Sequence, residues 1–110
     1  MRPALTVGAA AAATGWSARM LRYLEVTDLV VPRRTAAGYR TYGQPELNRL
    51  RALRVLRERF GVELAELAFA LRLRREPELR AAVDGWLAAA EDPGSWIAWE
   101  QRKHERLLAA

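Results

Sequence analysis

Cysteine is absent from the 110 residues, histidine and lysine occur once each, and no apolar run approaches the length that spans a bilayer. The missing cysteines exclude disulfides and thiolate metal sites, and they fit a reducing cytosol. His104 has no neighbouring ligand set, so neither a metal nor any other cofactor is expected. The chain also lacks a nucleophile–base pair, a phosphate-binding glycine loop and paired carboxylates in a recognisable setting, so it does not read as an enzyme. Acids are scarce in one half only. Residues 1–59 hold eleven arginines against Glu25, Asp28, Glu46 and Glu58, a balance of +7. Residues 60–110 hold six arginines and Lys103 against nine acids, a balance of −2, which together give the net +5. A GC-rich genome explains the choice of arginine over lysine. It does not explain why acids avoid the first half, and that asymmetry suits attraction to a polyanion.

What is present reads as one folded domain with a short appendage, since 51% of residues are hydrophobic and 28% charged. Arg2, Val7-Gly8 and the alanines at 9–13 loosely mimic a signal peptide, but an alanine run is barely apolar and suits a close-packed first helix better. Thr6 or a neighbour caps that helix, which runs to about Ala13. Thr14-Gly15-Trp16 breaks it, and Ser17 is a good cap for a second helix reaching about Glu25. On the second helix Leu21 and Leu24 share one face, and Arg19 and Arg22 another. Ala11, Gly15 and Leu21 have the spacing of a helix-turn-helix, with a small residue for close approach, glycine for the turn and an aliphatic lock.

Leu29-Val30-Val31-Pro32 is β-rich and closes on proline. Arg33-Arg34, a small turn ending at Gly38, and Tyr39-Arg40-Thr41-Tyr42 then read as a basic two-stranded ribbon, with Gly38 supplying the positive φ of a tight hairpin. Gln44-Pro45-Glu46 opens a third helix with a stripe through Leu47, Leu50, Leu53 or Arg54, and Leu56 or Arg57, ending at Gly61. Arg49, Arg51 and Arg54 flank that stripe as a solvated or internally paired face. Leu64, Leu67, Ala68 and Leu71 mark a fourth helix, and Glu76-Pro77-Glu78 starts a fifth with Leu79, Ala82, Val83, Trp86, Leu87 and Ala90 on one face. Asp92-Pro93-Gly94 is a break before a last helix at about 95–108.

Taken in order, Thr6-Val7-Gly8, Thr14-Gly15-x-Ser17-x-Arg19-x-Leu21-Arg22-Tyr23-x-Glu25, Leu29-x-x-Pro32, Gly38-Tyr39-Arg40-x-Tyr42 and Glu46-Leu47 resemble the mercury-resistance-regulator (MerR) family of bacterial regulators. The likeness continues through Gly61 and Leu64-x-Glu66-Leu67 and covers about residues 5–72. It implies a mainly α, winged helix-turn-helix fold with a small two-stranded β wing, followed by C-terminal helices. Residues 1–75 would form the DNA-binding domain and 76–110 a helical dimerisation or interaction segment.

The resemblance also implies roles. Arg19 would face base edges or nearby phosphates from the recognition helix, Arg22 and Tyr23 would grip the backbone beside it, and Arg40, supported by Tyr39 and Tyr42, would bring the wing down on the flanking duplex. Ser17, Arg33 and Arg34 complete the candidate DNA-contacting set. Tyr23 and Tyr39 could instead be core aromatics, and Arg33 and Arg34 general charge near the wing. Two departures stand out: Leu24 replaces a second aromatic, and Glu63 replaces a capping serine or proline, so a frayed start is expected for the fourth helix. About 35 residues follow Arg75, too few for a sizeable sensor domain. Trp86, Trp96, Ile97, Trp99, Leu107 and Leu108 then read as a dimer or packing surface, with a small-ligand pocket or a protein dock as alternatives. The expected protein is a cytoplasmic, nucleoid-associated homodimer on an inverted-repeat promoter site. The alternatives are an excisionase-like architectural binder assembling head-to-tail, or a regulator docking RNA polymerase or a sigma factor.

Overall fold

Five helices and one hairpin make up the regular structure of residues 3–91, the stretch described by the computed structural model. They run as α1 (Val7–Thr14), α2 (Ala18–Val26), β1 (Arg33–Arg34), β2 (Arg40–Thr41), α3 (Gln44–Phe60), α4 (Leu64–Arg75) and α5 (Pro77–Glu91). The expected break at 92–94, the final helix and the residues Trp96, Ile97, Trp99, Leu107 and Leu108 lie outside the described residues. The chain divides into two compact units, Met1–Leu71 and Arg72–Ala110.

The first unit begins with a helix that cannot stand alone. α1 has eight residues, five of them alanine, and isolated helices of that length are unstable in water. Thr6 accepts the Ala9 N–H at 3.2 Å as its cap. At the other end Gly15 adopts φ 80°, a left-handed conformation that favours glycine, and donates to the Ala11 carbonyl at 2.9 Å. Trp16 and Ser17 complete the turn, and Ser17 caps α2 by accepting the Met20 N–H at 3.1 Å. Ala10 rather than Ala11 is the small residue fully enclosed at this crossing, and Leu21 is 1% exposed beside it.

α3 clamps the turn from outside. The Trp16 indole donates Nε1–H to the Leu50 carbonyl at 2.9 Å, and Arg54 Nη1 donates to the Thr14 carbonyl at 2.8 Å. Arg57 lays its guanidinium over the Trp16 ring, 5.7 Å from the centroid. Arg49 donates to the Leu29 carbonyl at 2.6 Å, fixing the segment that leaves α2. Of the α3 arginines expected to form a solvated or paired face, Arg49 and Arg54 thus bind backbone. A cleft of about 580 Å³ beside the turn is walled by these clamp residues, including Trp16, Arg54 and Arg57.

Beneath the clamp lies one core. Leu21, Leu24, Leu29, Val30, Tyr42, Leu47, Leu50, Leu53 and Leu64 are buried together, with Leu67, Ala68 and Leu71 packed against them. Burying each such leucine contributes roughly 1.5–3 kcal/mol. The β-rich stretch at 29–32 forms no strand. Asp28 takes φ 61°, and the Leu29 and Val30 N–H groups both return to the Leu24 carbonyl, closing the end of α2. The start of α4 is better fixed than Glu63 suggests, because the Glu66 carboxylate accepts the Glu63 N–H at 3.0 Å.

β1 and β2 pair antiparallel, with Arg33 opposite Thr41 and Arg34 opposite Arg40. Gly38 at φ 90° closes the turn by donating to the Thr35 carbonyl at 2.9 Å. At the base of the hairpin, Leu5 and Tyr42 exchange both backbone hydrogen bonds at 2.8 Å. Helix-turn-helix, hairpin and flanking helices together make a winged helix-turn-helix.

In the second unit Glu76 separates α4 from α5 and accepts two bonds from Arg72, at 2.8 and 3.2 Å. That guanidinium holds the Glu76 carboxyl below its ordinary range. Trp86 and Leu87 are nearly half exposed on α5.

The clamp generates a stability prediction. A Cβ at Gly15 would collide with Arg54 Nη1, so Gly15→Ala should cost about 1–2 kcal/mol from left-handed strain and loss of that bond. Arg54→Ala should cost about 1 kcal/mol. Because both remove the same bond, urea unfolding of the double variant should give less than the sum of the single losses.

Candidate nucleic-acid interface

α2 divides cleanly between its two faces. Leu21 and Leu24 point into the core, while Arg19, Arg22 and Tyr23 are exposed on the other side. Leu24, at 0% exposure, sits at the position where an aromatic was expected, and a side chain there packs inward. Arg19 and Arg22 have no ion-pair or hydrogen-bond partner among the described residues, so their donors are available to an incoming anion. Ser17 is exposed at the start of the same helix, with its hydroxyl committed to the cap.

The wing adds a second cationic element. Tyr39 is 73% exposed and Tyr23 is 38% exposed, so neither is a core aromatic. Arg33 stands outward with its side chain 81% exposed, 3.5 Å from Glu46. Arg34 and Arg40, from opposite strands, converge on one carboxylate. Arg34 Nη2 donates to Glu25 Oε1 at 3.0 Å, and Arg40 Nε donates to Glu25 Oε2 at 2.5 Å. Arg34 Nη1 also donates to the Gly38 carbonyl at 2.9 Å, which ties the turn into the same group. Glu25 belongs to α2, so that helix and the wing are joined through its carboxylate. Among the described residues no group of three or more His, Cys, Asp or Glu could hold a metal ion. No helix among them is long and apolar enough to cross a membrane.

A family model described as "MerR HTH family regulatory protein" matches residues 5–73. The chain belongs to the MerR HTH family. It is similar to the HTH-type transcriptional regulator HmrR of Sinorhizobium medicae, 35% identical over 79% of this chain and 58% of the relative. Heavy metal-dependent transcription regulator 2 of Rhizobium meliloti is 34% identical over the same shares, and TnrA of Bacillus subtilis is 32% identical over 69% of this chain and 73% of its own. The chain therefore spans a little over half the length of the first two. The solved structure of SkgA from Caulobacter crescentus matches across both chains at 26% identity with a TM-score of 0.44. This family and these relatives are regulators, not enzymes.

Within this MerR HTH chain one expected contact residue needs correction. Tyr42 is 1% exposed and belongs to the core, where burial and, second, the Glu25 carboxylate push its phenol above the ordinary value. It supports the wing from beneath and cannot itself touch a duplex. Arg40 keeps its place on the wing, with its Nε held by Glu25. The family resemblance put Tyr39 and Tyr42 together as supports. Flanking β2 at an odd spacing, they face opposite ways, Tyr39 outward and Tyr42 into the core.

Sequence reasoning gave Glu25 no role, read Trp16 only as part of a helix break, and set Arg54 on a solvated or internally paired face. Glu25 was visible as the one acid inside the second-helix motif. Nothing in the local pattern of the other two named their partners, which lie 34 and 40 positions away.

The two wing tyrosines should therefore separate in a thermal melt. Tyr42→Ala should lower stability by about 3–5 kcal/mol, as for a large buried aromatic. Tyr39→Ala should stay within about 0.5 kcal/mol of the parent.

Proposed function

We propose that this chain is a sequence-specific, double-stranded-DNA-binding transcription regulator that acts as a homodimer on an inverted-repeat site. One observation carries the reading: α2 exposes Arg19, Arg22 and Tyr23 while the wing, with Arg33 and Tyr39 outward, is fastened to that same helix through Glu25. A helix of this width fits the major groove, and arginine is the side chain best shaped for bidentate contact with guanine or phosphate. In this reading Arg19 reads base edges, while Arg22, Tyr23 and the Ser17 end of the helix fix register on phosphates. Arg33, Tyr39 and the outer edges of Arg34 and Arg40 meet the flanking backbone. A place on the bacterial nucleoid in the cytoplasm follows from this role. The metal dependence in the name of the Rhizobium relative is not carried over, since this chain has no cysteine.

Two-fold pairing of protomers would match inverted half-sites. The exposed Trp86 and Leu87 on α5 support an interface in the C-terminal segment. Trp96, Ile97, Trp99, Leu107 and Leu108 would add to it from the sequence pattern. Sedimentation should give a dimer for the parent and a shift toward monomer for Trp86→Ala combined with Leu87→Ala. A monomeric parent whose footprint grows along direct repeats would point to head-to-tail assembly instead. An unchanged dimer in the variant would leave this face to a partner such as RNA polymerase or a sigma factor.

The test of DNA binding is selection of duplexes by the parent protein, followed by band-shift titration at several salt concentrations. Arg22→Ala should weaken binding to all sequences alike and reduce the log–log salt slope by about 1. Arg19→Ala should remove roughly 1–3 kcal/mol of discrimination at one base position. Failure to select any duplex, or weak binding indifferent to salt, contradicts the proposal.

A further inference from the structure

An acid on a surface that must attract phosphates needs a reason to be there. Glu25 is one of only four acids in the first 59 residues, and it lies between the exposed arginines of α2 and those of the wing. Its side chain is 19% exposed, and each of its oxygens is taken by a different strand. The wing needs such an anchor. With two residues per strand it falls well short of the size at which a hairpin is stable in water. Its other ties, the Leu5–Tyr42 bridge and the exposed Arg33–Glu46 pair at 3.5 Å, fix only its base. Without Glu25 the turn end would be held by no side chain of α2.

We propose that Glu25 is the positioning residue of the DNA interface. Its carboxylate occupies the place of a phosphate between Arg34 and Arg40, and so sets the angle between wing and recognition helix before a duplex arrives. The inference rests on the DNA-binding reading above. A guanidinium has five N–H donors in a fixed fork, so Arg40 can give Nε to Glu25 and still present its Nη edge to a phosphate. Ordering two long side chains in advance removes part of the entropic loss on binding. The negative charge works against this gain at long range.

These two effects have opposite signs in one variant. Glu25→Gln keeps the shape and makes the face more positive by one charge. If Glu25 acted through charge alone, that change would tighten binding. As a positioning residue, its loss should weaken binding to a duplex selected by the parent by about ten-fold. Hydroxyl-radical footprints should lose the outer, wing-side protection and keep the central protection under α2, a split that general destabilisation would not produce. Glu25→Asp, which keeps the charge with a shorter reach, should recover part of the affinity and keeps the test open if the glutamine variant folds poorly. In an Arg34→Gln, Arg40→Gln background there is nothing left to position, so adding Glu25→Gln should tighten binding. A parent that selects a duplex alongside a Glu25→Gln variant that binds it as tightly or more tightly overturns the inference alone. A parent that selects no duplex overturns the DNA-binding reading, and the inference with it.

Discussion

The turn between α1 and α2 is held from outside, and the rest of the first unit depends on that grip. α1 has neither the length nor an apolar face to persist by itself. Trp16 and Arg54 pin the turn to α3 through one indole–carbonyl and one guanidinium–carbonyl hydrogen bond, and Gly15 leaves the room that the Arg54 fork occupies. Once the turn is placed, Leu21 and Leu24 enter the core with Leu50 and Tyr42, and the opposite side of α2 is necessarily the one that carries Arg19 and Arg22. The outward face of the recognition helix is a consequence of how its inward face packs.

Charge is used in two ways on this surface. Some arginines are spent inside the protein, Arg49 and Arg54 on backbone carbonyls and Arg57 on the face of Trp16, and Arg34 and Arg40 are partly engaged by Glu25. Among the described residues Arg19, Arg22 and Arg51 have no such partner. The excess of +7 over residues 1–59 therefore overstates the cationic side chains available to a partner. It also explains how so arginine-rich a sequence specifies a fold, since arginine here supplies long-range hydrogen bonds that lysine would make without the planar fork.

Local signals were legible in the sequence wherever the physics is local. Thr6 and Ser17 as caps, Gly38 at positive φ, Gly15 and Gly61 as helix ends, Pro45 in the first turn of α3 and the stripe through Leu47 and Leu50 all follow from spacing of a few residues, while the choice of Leu53 over Arg54 for the core did not. What was not legible depends on partners distant in the chain. Tyr42 looked like a companion of Tyr39, but its bridge to Leu5 turns it inward. Ala10 is enclosed where Ala11 fitted the motif spacing, a one-residue ambiguity that a run of five alanines cannot resolve. Arg40 carried the expected charge, but nothing near it in the chain named Glu25, fifteen residues earlier, as the acceptor of its Nε–H.

The central claim is that α2 and the wing meet one duplex together as a single preset surface. The most direct test is a titration of the isotopically labelled protein with a selected duplex, followed by backbone amide shifts. Amides of residues 17–25 and 33–41 should move in the same titration and saturate at the same ratio of duplex to protein. Shifts confined to one of these two segments, or found instead along α3 and α4, would contradict the account.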